Sequence, residues 1–289
     1  VALNADATFA YVTSDRYLTV IDVRTKSSPT FAGTLYHAYM HQSRQLAVSP
    51  ANPNYVFVVA YSGKALFCID VSNPGDPTLV SYFRDTVTLN RAWGIALTSS
   101  LAYVCTYHGN AYSKLTIIDI SNPAAMFLQG YATDTSTYMM SNARSVVLSS
   151  TSDHTYAFVA GYSQDSLAVV DVTTSIAPHA GWRLQDRSRL DEVLDLFRSG
   201  DRLYALAKRR NYLTVLDVSS PTSPSVLEYL QSEHFSGAQG FAVLGNYAYV
   251  ASRSLNRLTV VNVLPAPGPS PPSPPSPPPS PLRPPSPPP

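Results

Sequence analysis

Leu18-Thr-Val-Ile-Asp22-Val returns five times along the chain. The copies are Leu66-Phe-Cys-Ile-Asp70-Val, Leu115-Thr-Ile-Ile-Asp119-Ile, Leu167-Ala-Val-Val-Asp171-Val, Leu213-Thr-Val-Leu-Asp217-Val and Leu258-Thr-Val-Val-Asn262-Val. From Asp22 to Asn262 the fifth positions lie 48, 49, 52, 46 and 45 residues apart. Each copy is a short β-branched run, which suits a strand better than a helix. A fixed period near 45 residues in a β-rich chain is the mark of a propeller with one four-stranded blade per period. The pattern therefore predicts an all-β, six-bladed β-propeller over residues 1–264.

The rest of each period fits four strands. A short apolar first strand comes before the phrase, as in Val1-Ala-Leu3, Leu46-Ala-Val48, Ile95-Ala-Leu97, Val146-Val-Leu148 and Phe241-Ala-Val-Leu244. A second strand of aromatic and small residues follows, as in Phe9-Ala-Tyr-Val12 and Ala102-Tyr-Val-Cys105. The phrase is the third, and segments such as Phe31-Ala-Gly-Thr-Leu35 and Phe127-Leu-Gln-Gly-Tyr131 supply the fourth. Between the last two lie turns such as Asp70-Val-Ser-Asn-Pro74, where Asp, Ser and Asn bond nearby backbone and Pro fixes φ. The nine prolines before residue 265 fall outside the strand cores, as a hydrogen-bonded ladder requires. One segment competes: Leu190, Val193, Leu194 and Phe197 have helical spacing, but register with the other periods makes it a first strand. The sixth period stops after its third strand and runs into Pro265-Ala-Pro-Gly-Pro, so blade six is expected to lack its outer strand. Val1-Ala-Leu3 reads as the middle of a strand, which suggests a chain processed or incomplete at its start.

The phrase with its following turn and Pro, preceded by Ala-Tyr-Val-x-Ser, resembles the LVIVD-repeat β-propellers over nearly all of residues 1–263. That resemblance implies a scaffold common in secreted and surface proteins, without a uniform catalytic motif.

Residues 265–289 are a different kind of chain, with sixteen Pro and five Ser in 25 positions. Such a composition forms polyproline II and builds no packed core. At ~3.1 Å per residue it would span about 78 Å. Its Ser-Pro-Pro pattern resembles the hydroxyproline-rich glycoproteins of plant and green-algal walls, including pherophorin-type matrix proteins. The resemblance implies hydroxylation and O-linked glycans among Pro269, Ser270, Pro271, Pro272, Ser273, Pro274, Pro275, Ser276, Pro277, Pro278, Pro279, Ser280, Pro281, Pro284, Pro285, Ser286, Pro287, Pro288 and Pro289. A plain rigid spacer and a ligand for SH3- or WW-type domains are the alternatives.

Composition narrows the rest. A net charge of +1 argues against a nucleic-acid partner, and no run of 18 apolar residues suggests a membrane span. No His-Glu-x-x-His, Gly-x-Ser-x-Gly or phosphate-cradling Gly loop occurs, so no catalytic residue, cofactor or metal ligand is assigned. His37, His41, His108, His154, His179 and His234 read as loop histidines, and the repeated Asp as turn caps. Arg44, Arg91 and Arg144 stand just before first strands, with Asp191 and Glu192 in a corresponding place further on. They could ring a channel mouth and bind an anion or sugar, or be solvated loop charges. Cys68 and Cys105 lie on adjacent blades, so a cross-blade disulfide and two small buried hydrophobes are both open. Taken together, the expectation is an extracellular structural glycoprotein, not an enzyme, whose propeller is a scaffold and whose tail connects neighbouring copies in a fibril or wall layer. A surface ligand- or carbohydrate-binding propeller, and more remotely a propeller hydrolase, are the competing classes.

Overall fold

The computed structural model describes residues 1–107, 113–133 and 140–263. The tail and its modification sites, and His108, lie outside these. Six antiparallel sheets follow one another along the chain, each ordered by sequence from an inner to an outer strand. Blade one is Ala2–Leu3, Phe9–Ser14, Tyr17–Asp22 and Thr30–Tyr36; blade two is Ser43–Val48, Tyr55–Ala60, Ala65–Asp70 and Thr78–Arg84. Blade three is Ala92–Leu97, Leu101–Thr106, Lys114–Asp119 and Phe127–Thr133; blade four is Ala143–Ser150, Thr155–Gly161, Ser166–Asp171 and His179–Gln185. Blade five is Val193–Ser199, Arg202–Ala207, Tyr212–Asp217 and Ser225–Gln231, and blade six is Ala238–Leu244, Tyr247–Ser252 and Arg257–Asn262. The segment with helical spacing is thus a strand, and among the described residues blade six has no fourth strand.

The repeated phrase works as an inter-blade adhesive. Its Leu and the residue two further on face the next blade: Leu18 and Val20 pack on Val56, Val58, Phe67 and Ile69 of blade two. Leu66 and Cys68, Leu115 and Ile117, Leu167 and Val169, and Leu213 and Val215 do the same at the next four interfaces, each almost completely buried. Burying such side chains contributes about 1.5–3 kcal/mol apiece. Thr at the second position faces the other way, and its hydroxyl donates to the connection that enters the blade: Thr116 Oγ1 to the Thr88 carbonyl at 2.6 Å and Thr214 Oγ1 to the Arg189 carbonyl at 2.8 Å. The fifth-position Asp caps its turn: the carboxylates of Asp70, Asp119, Asp171 and Asp217 accept from the backbone N–H two residues on, at 2.8 to 2.9 Å.

Blade six breaks this rule. Leu258 and Val260 carry the same phrase but are 64 % and 51 % exposed, and Leu244 on the same sheet is 73 % exposed. On the facing side of blade one Leu3 is exposed, and Val12, Thr19 and Ile21 are only half-buried. The described residues form five apolar clusters, one at each interface from blades one and two to blades five and six. A sealed ring of six blades needs a sixth cluster between blade six and blade one, and none is formed among them.

Cys68 and Cys105 are free and buried, which decides against the disulfide. Cys68 points from blade two into the interface with blade three, whereas Cys105 points from blade three into the interface with blade four. The body of blade three separates the sulfurs. Burial pushes both thiols up to about 12, so they stay protonated and pack as small hydrophobes.

Candidate binding site at the channel mouth

The inner strands of blades two to six share one irregularity. Each skips register near its start, between Ser43 and Leu46, Ala92 and Gly94, Ala143 and Val146, Val193 and Asp195, and Ala238 and Gly240. A bulge leaves extra residues unpaired and re-aims their side chains. Here it turns Arg44, Trp93, Arg144, Leu194 and Gln239 toward the central channel, together with Gln45 and Asp195 beneath them.

The lower row joins the blades. Ile95 N–H donates to Gln45 Oε1 at 2.7 Å, carrying blade three to blade two. Ser145 Oγ accepts from Leu196 N–H at 3.2 Å and donates to Asp195 Oδ1 at 2.9 Å. The Asp195 carboxylate also accepts from its neighbour Leu196 N–H and from Phe241 N–H of blade six. Gly94 occupies the equivalent place in blade three because a Cβ there would stand 2.6 Å from the Arg144 carbonyl oxygen. Burial pushes the Asp195 carboxyl up to about 6, against the pull of these donors.

The upper row is cationic and aromatic. Arg44 lies 4.4 Å from the Trp93 ring centre and 5.0 Å from that of Tyr61. Arg144 lies 4.8 Å from Trp93, 5.1 Å from Tyr107 and 3.6 Å from Tyr162. Tyr61, Tyr107 and Tyr162 each directly follow the second strand of their blade, which explains their shared level. The rings also touch: Tyr61 meets Trp93 edge-on at 5.7 Å, and Trp93 lies 5.1 Å from Tyr107. Tyr162 Oη donates to Glu192 Oε2 at 2.6 Å, and burial with that bond pushes its phenol up to about 12. The cavity enclosed has a volume of about 220 Å³.

Of the charges predicted at this mouth, Arg44 and Arg144 are present, while Glu192 touches it only through Tyr162. Arg91 is displaced: it sits two residues before Trp93, in a left-handed backbone turn with φ 59°. Asp191 turns away to pair with Arg210 at 3.2 Å and Arg209 at 3.9 Å. Trp93, the three tyrosines and Asp195 are not apparent from motif spacing. The tyrosines carry a positional signal, since each directly follows a second strand, whereas Trp93 and Asp195 stand once each beside a bulge that the sequence does not mark. The described histidines scatter: His37 caps the turn at Ala38–Met40, His41 faces Asp15, His154 faces Asp171, His234 contacts Arg257, and His179 begins an outer strand. Among the described residues no group of three His, Cys, Asp or Glu could hold a metal ion, and no helix is long and apolar enough to cross a membrane.

Fold and mouth together define a propeller scaffold with an arginine-rich channel entrance. The chain belongs to the LVIVD repeat family, whose profile matches residues 5–36, 43–85, 91–134, 195–230 and 237–278. The profile does not match the period around Leu167–Asp171, although the phrase itself stands there in the sequence and its blade is formed. No curated protein matches the chain. Solved structures similar in fold include a protein from Bacteroides uniformis provisionally described as a 6-phosphogluconolactonase, with a TM-score of 0.71 at 12% identity over 90% of this chain and 79% of that one. A functionally unknown protein from Desulfotomaculum acetoxidans gives 0.68 at 12% over 88% and 79%. The Cps50 (Swd1) β-propeller domain of Myceliophteria thermophila gives 0.65 at 10% over 91% and 82%. At such identities the likeness is one of fold.

Proposed function

We propose that the protein is an extracellular structural module, a non-catalytic propeller that assembles head to tail and carries a glycosylated Pro/Ser connector. The observation that carries this reading is the pair of unsealed faces. Every other interface joins the Leu of one blade's phrase and the residue two further on to the receiving face of the next. Blade six therefore presents, at Leu258 and Val260, a surface built to fit a blade, and blade one presents the receiving face. Two copies can satisfy both faces, leaving a free face of each kind at the ends. A contact between unlike patches that does not close on itself propagates as a filament. Among the described residues no fourth strand pairs with Arg257–Asn262, and its outer edge adds a place for a strand from a neighbour. The run from Pro265 follows this strand directly in sequence, so glycans on it would space successive subunits. The lactonase-like neighbour supplies a fold likeness and no reason to assign its chemistry here.

Analytical ultracentrifugation of the secreted full chain tests the reading. Concentration-dependent oligomers are expected, and Leu258→Glu with Val260→Glu should return them to monomers with unchanged β-sheet circular dichroism. A chain that stays monomeric at high micromolar concentration would refute head-to-tail assembly. Intact mass should exceed the 31.3 kDa of the polypeptide by hydroxyl and sugar increments. An unmodified mass would refute the glycoprotein part.

A further inference from the structure

We infer that the channel mouth is a binding site for a small oxyanion-bearing ligand, held by Arg44 and Arg144 on either side of Trp93. This stands apart from the assembly reading: Val1, Leu194, Asp195 and Gln239 also line the cavity, but Arg44, Trp93 and Arg144 belong to blades two, three and four, and the open faces are Leu258 and Val260 of blade six and the facing side of blade one.

Three observations meet here. First, the two cations are held by aromatic faces, and among the described residues neither forms an ion pair, whereas Arg24, Arg189, Arg202, Arg209 and Arg210 each have a carboxylate. Stacking fixes a guanidinium in its plane without neutralising it, and its in-plane N–H groups still need acceptors. Arg144 Nε is buried without a hydrogen-bond partner. Second, the acids at the mouth are engaged: Glu192 accepts from Tyr162 Oη, and Asp195, which lines the cavity, accepts from Ser145 Oγ and from the Leu196 and Phe241 N–H groups. Third, the cavity of about 220 Å³ is smaller than the ~300–1,000 Å³ typical of drug-sized ligands, so it suits one acidic group on a single small ring or chain. Carboxylate, sulfate and phosphate share the geometry a guanidinium recognises. The group can belong to a free small anion or to an acidic sugar within a polysaccharide.

The full chain carrying Trp182→Phe leaves Trp93 as the only indole, and its fluorescence reports the site. Titration with sodium sulfate, glucuronate, oligogalacturonate and neutral glucose is the measurement. Saturable change with sulfate or glucuronate, with none from glucose, is expected. Arg44→Met or Arg144→Met should weaken binding about tenfold or more, as loss of a charge-assisted hydrogen bond does. Oligogalacturonate binding about tenfold tighter than glucuronate would assign the acidic group to a polymer, and equal binding would assign it to a free anion. Either supports the site. No saturable response to any of the three anions, or an equal response to glucose, overturns it. The wild-type titrations hold even if a Met variant fails to fold. If it folds and binds unchanged, the arginines are not the ligands.

Discussion

At the scale of the single residue, Asp195 concentrates most of the physics of the channel. Its carboxylate receives Ser145 Oγ, Leu196 N–H and Phe241 N–H, three donors that favour the charged form. Burial outweighs them and lifts the group from 3.8 to about 6. An acid with a raised native pKa binds its proton more tightly folded than unfolded. The protonated group therefore supports folding fully below pH 4, and that support fades as the pH climbs from about 4 to 6. Above pH 6 the charged carboxylate is a net burden of at most about 3 kcal/mol, reduced to about 1–2 kcal/mol because solvent reaches the channel. Asp195→Asn keeps an acceptor without the charge. The variant should be the more stable protein at pH 7 by that margin and should match the wild type near pH 4. Urea midpoints at the two values check this, and equal midpoints at pH 7 would show that the donors, not burial, govern the site.

At the scale of the element, the six-fold phrase encodes more than a strand. In the first five copies its first and third residues grip the next blade, Thr116 and Thr214 at its second position bond the incoming connection, and the Asp at its fifth caps the outgoing turn. These roles can be separated by substitution. Thr116→Val keeps shape but leaves the Thr88 carbonyl without its donor in a buried place, which should cost about 1–3 kcal/mol. Thr19→Val changes the same phrase position on the unsealed face of blade one and should be nearly neutral. Thermal midpoints that fall equally for both would contradict this division. The phrase was legible because a strand's period of two and a turn's Asp, Ser and Pro leave local marks. The bulge was not legible. It depends on backbones of adjacent inner strands converging on the axis, so Arg44 and Arg144 stand out as charges while Trp93 and Tyr107 read as ordinary strand aromatics. The opposed directions of Cys68 and Cys105 likewise follow from which face each strand turns inward, a choice that one register step reverses. The pairing of Asp191 with Arg210 joins two turn residues, whose approach no strand period records.

At the scale of the whole molecule, six blades with five packed interfaces behave like a linear repeat array whose ends happen to lie near one another. In such an array stability is a sum of unit and nearest-neighbour contributions, so a unit with one neighbour opens before a unit with two. Blades three and four each share apolar clusters on both faces, whereas blades one and six share one. Among the described residues blade six also has no outer strand, so Arg257–Asn262 pairs as a strand with Tyr247–Ser252 alone. Native-state hydrogen exchange of dilute protein should therefore show amides of Tyr247–Ser252 and Phe9–Ser14 exchanging faster than those of Leu101–Thr106 and Thr155–Gly161, although all four are second strands of their blades. Raising the concentration into the range where copies associate should slow exchange in blades six and one and leave blades three and four as they were. A gradient that is absent in dilute protein would mean that blades six and one seal against each other within one molecule. The head-to-tail contact would then lose its physical basis, because no unsatisfied blade face would remain to drive it.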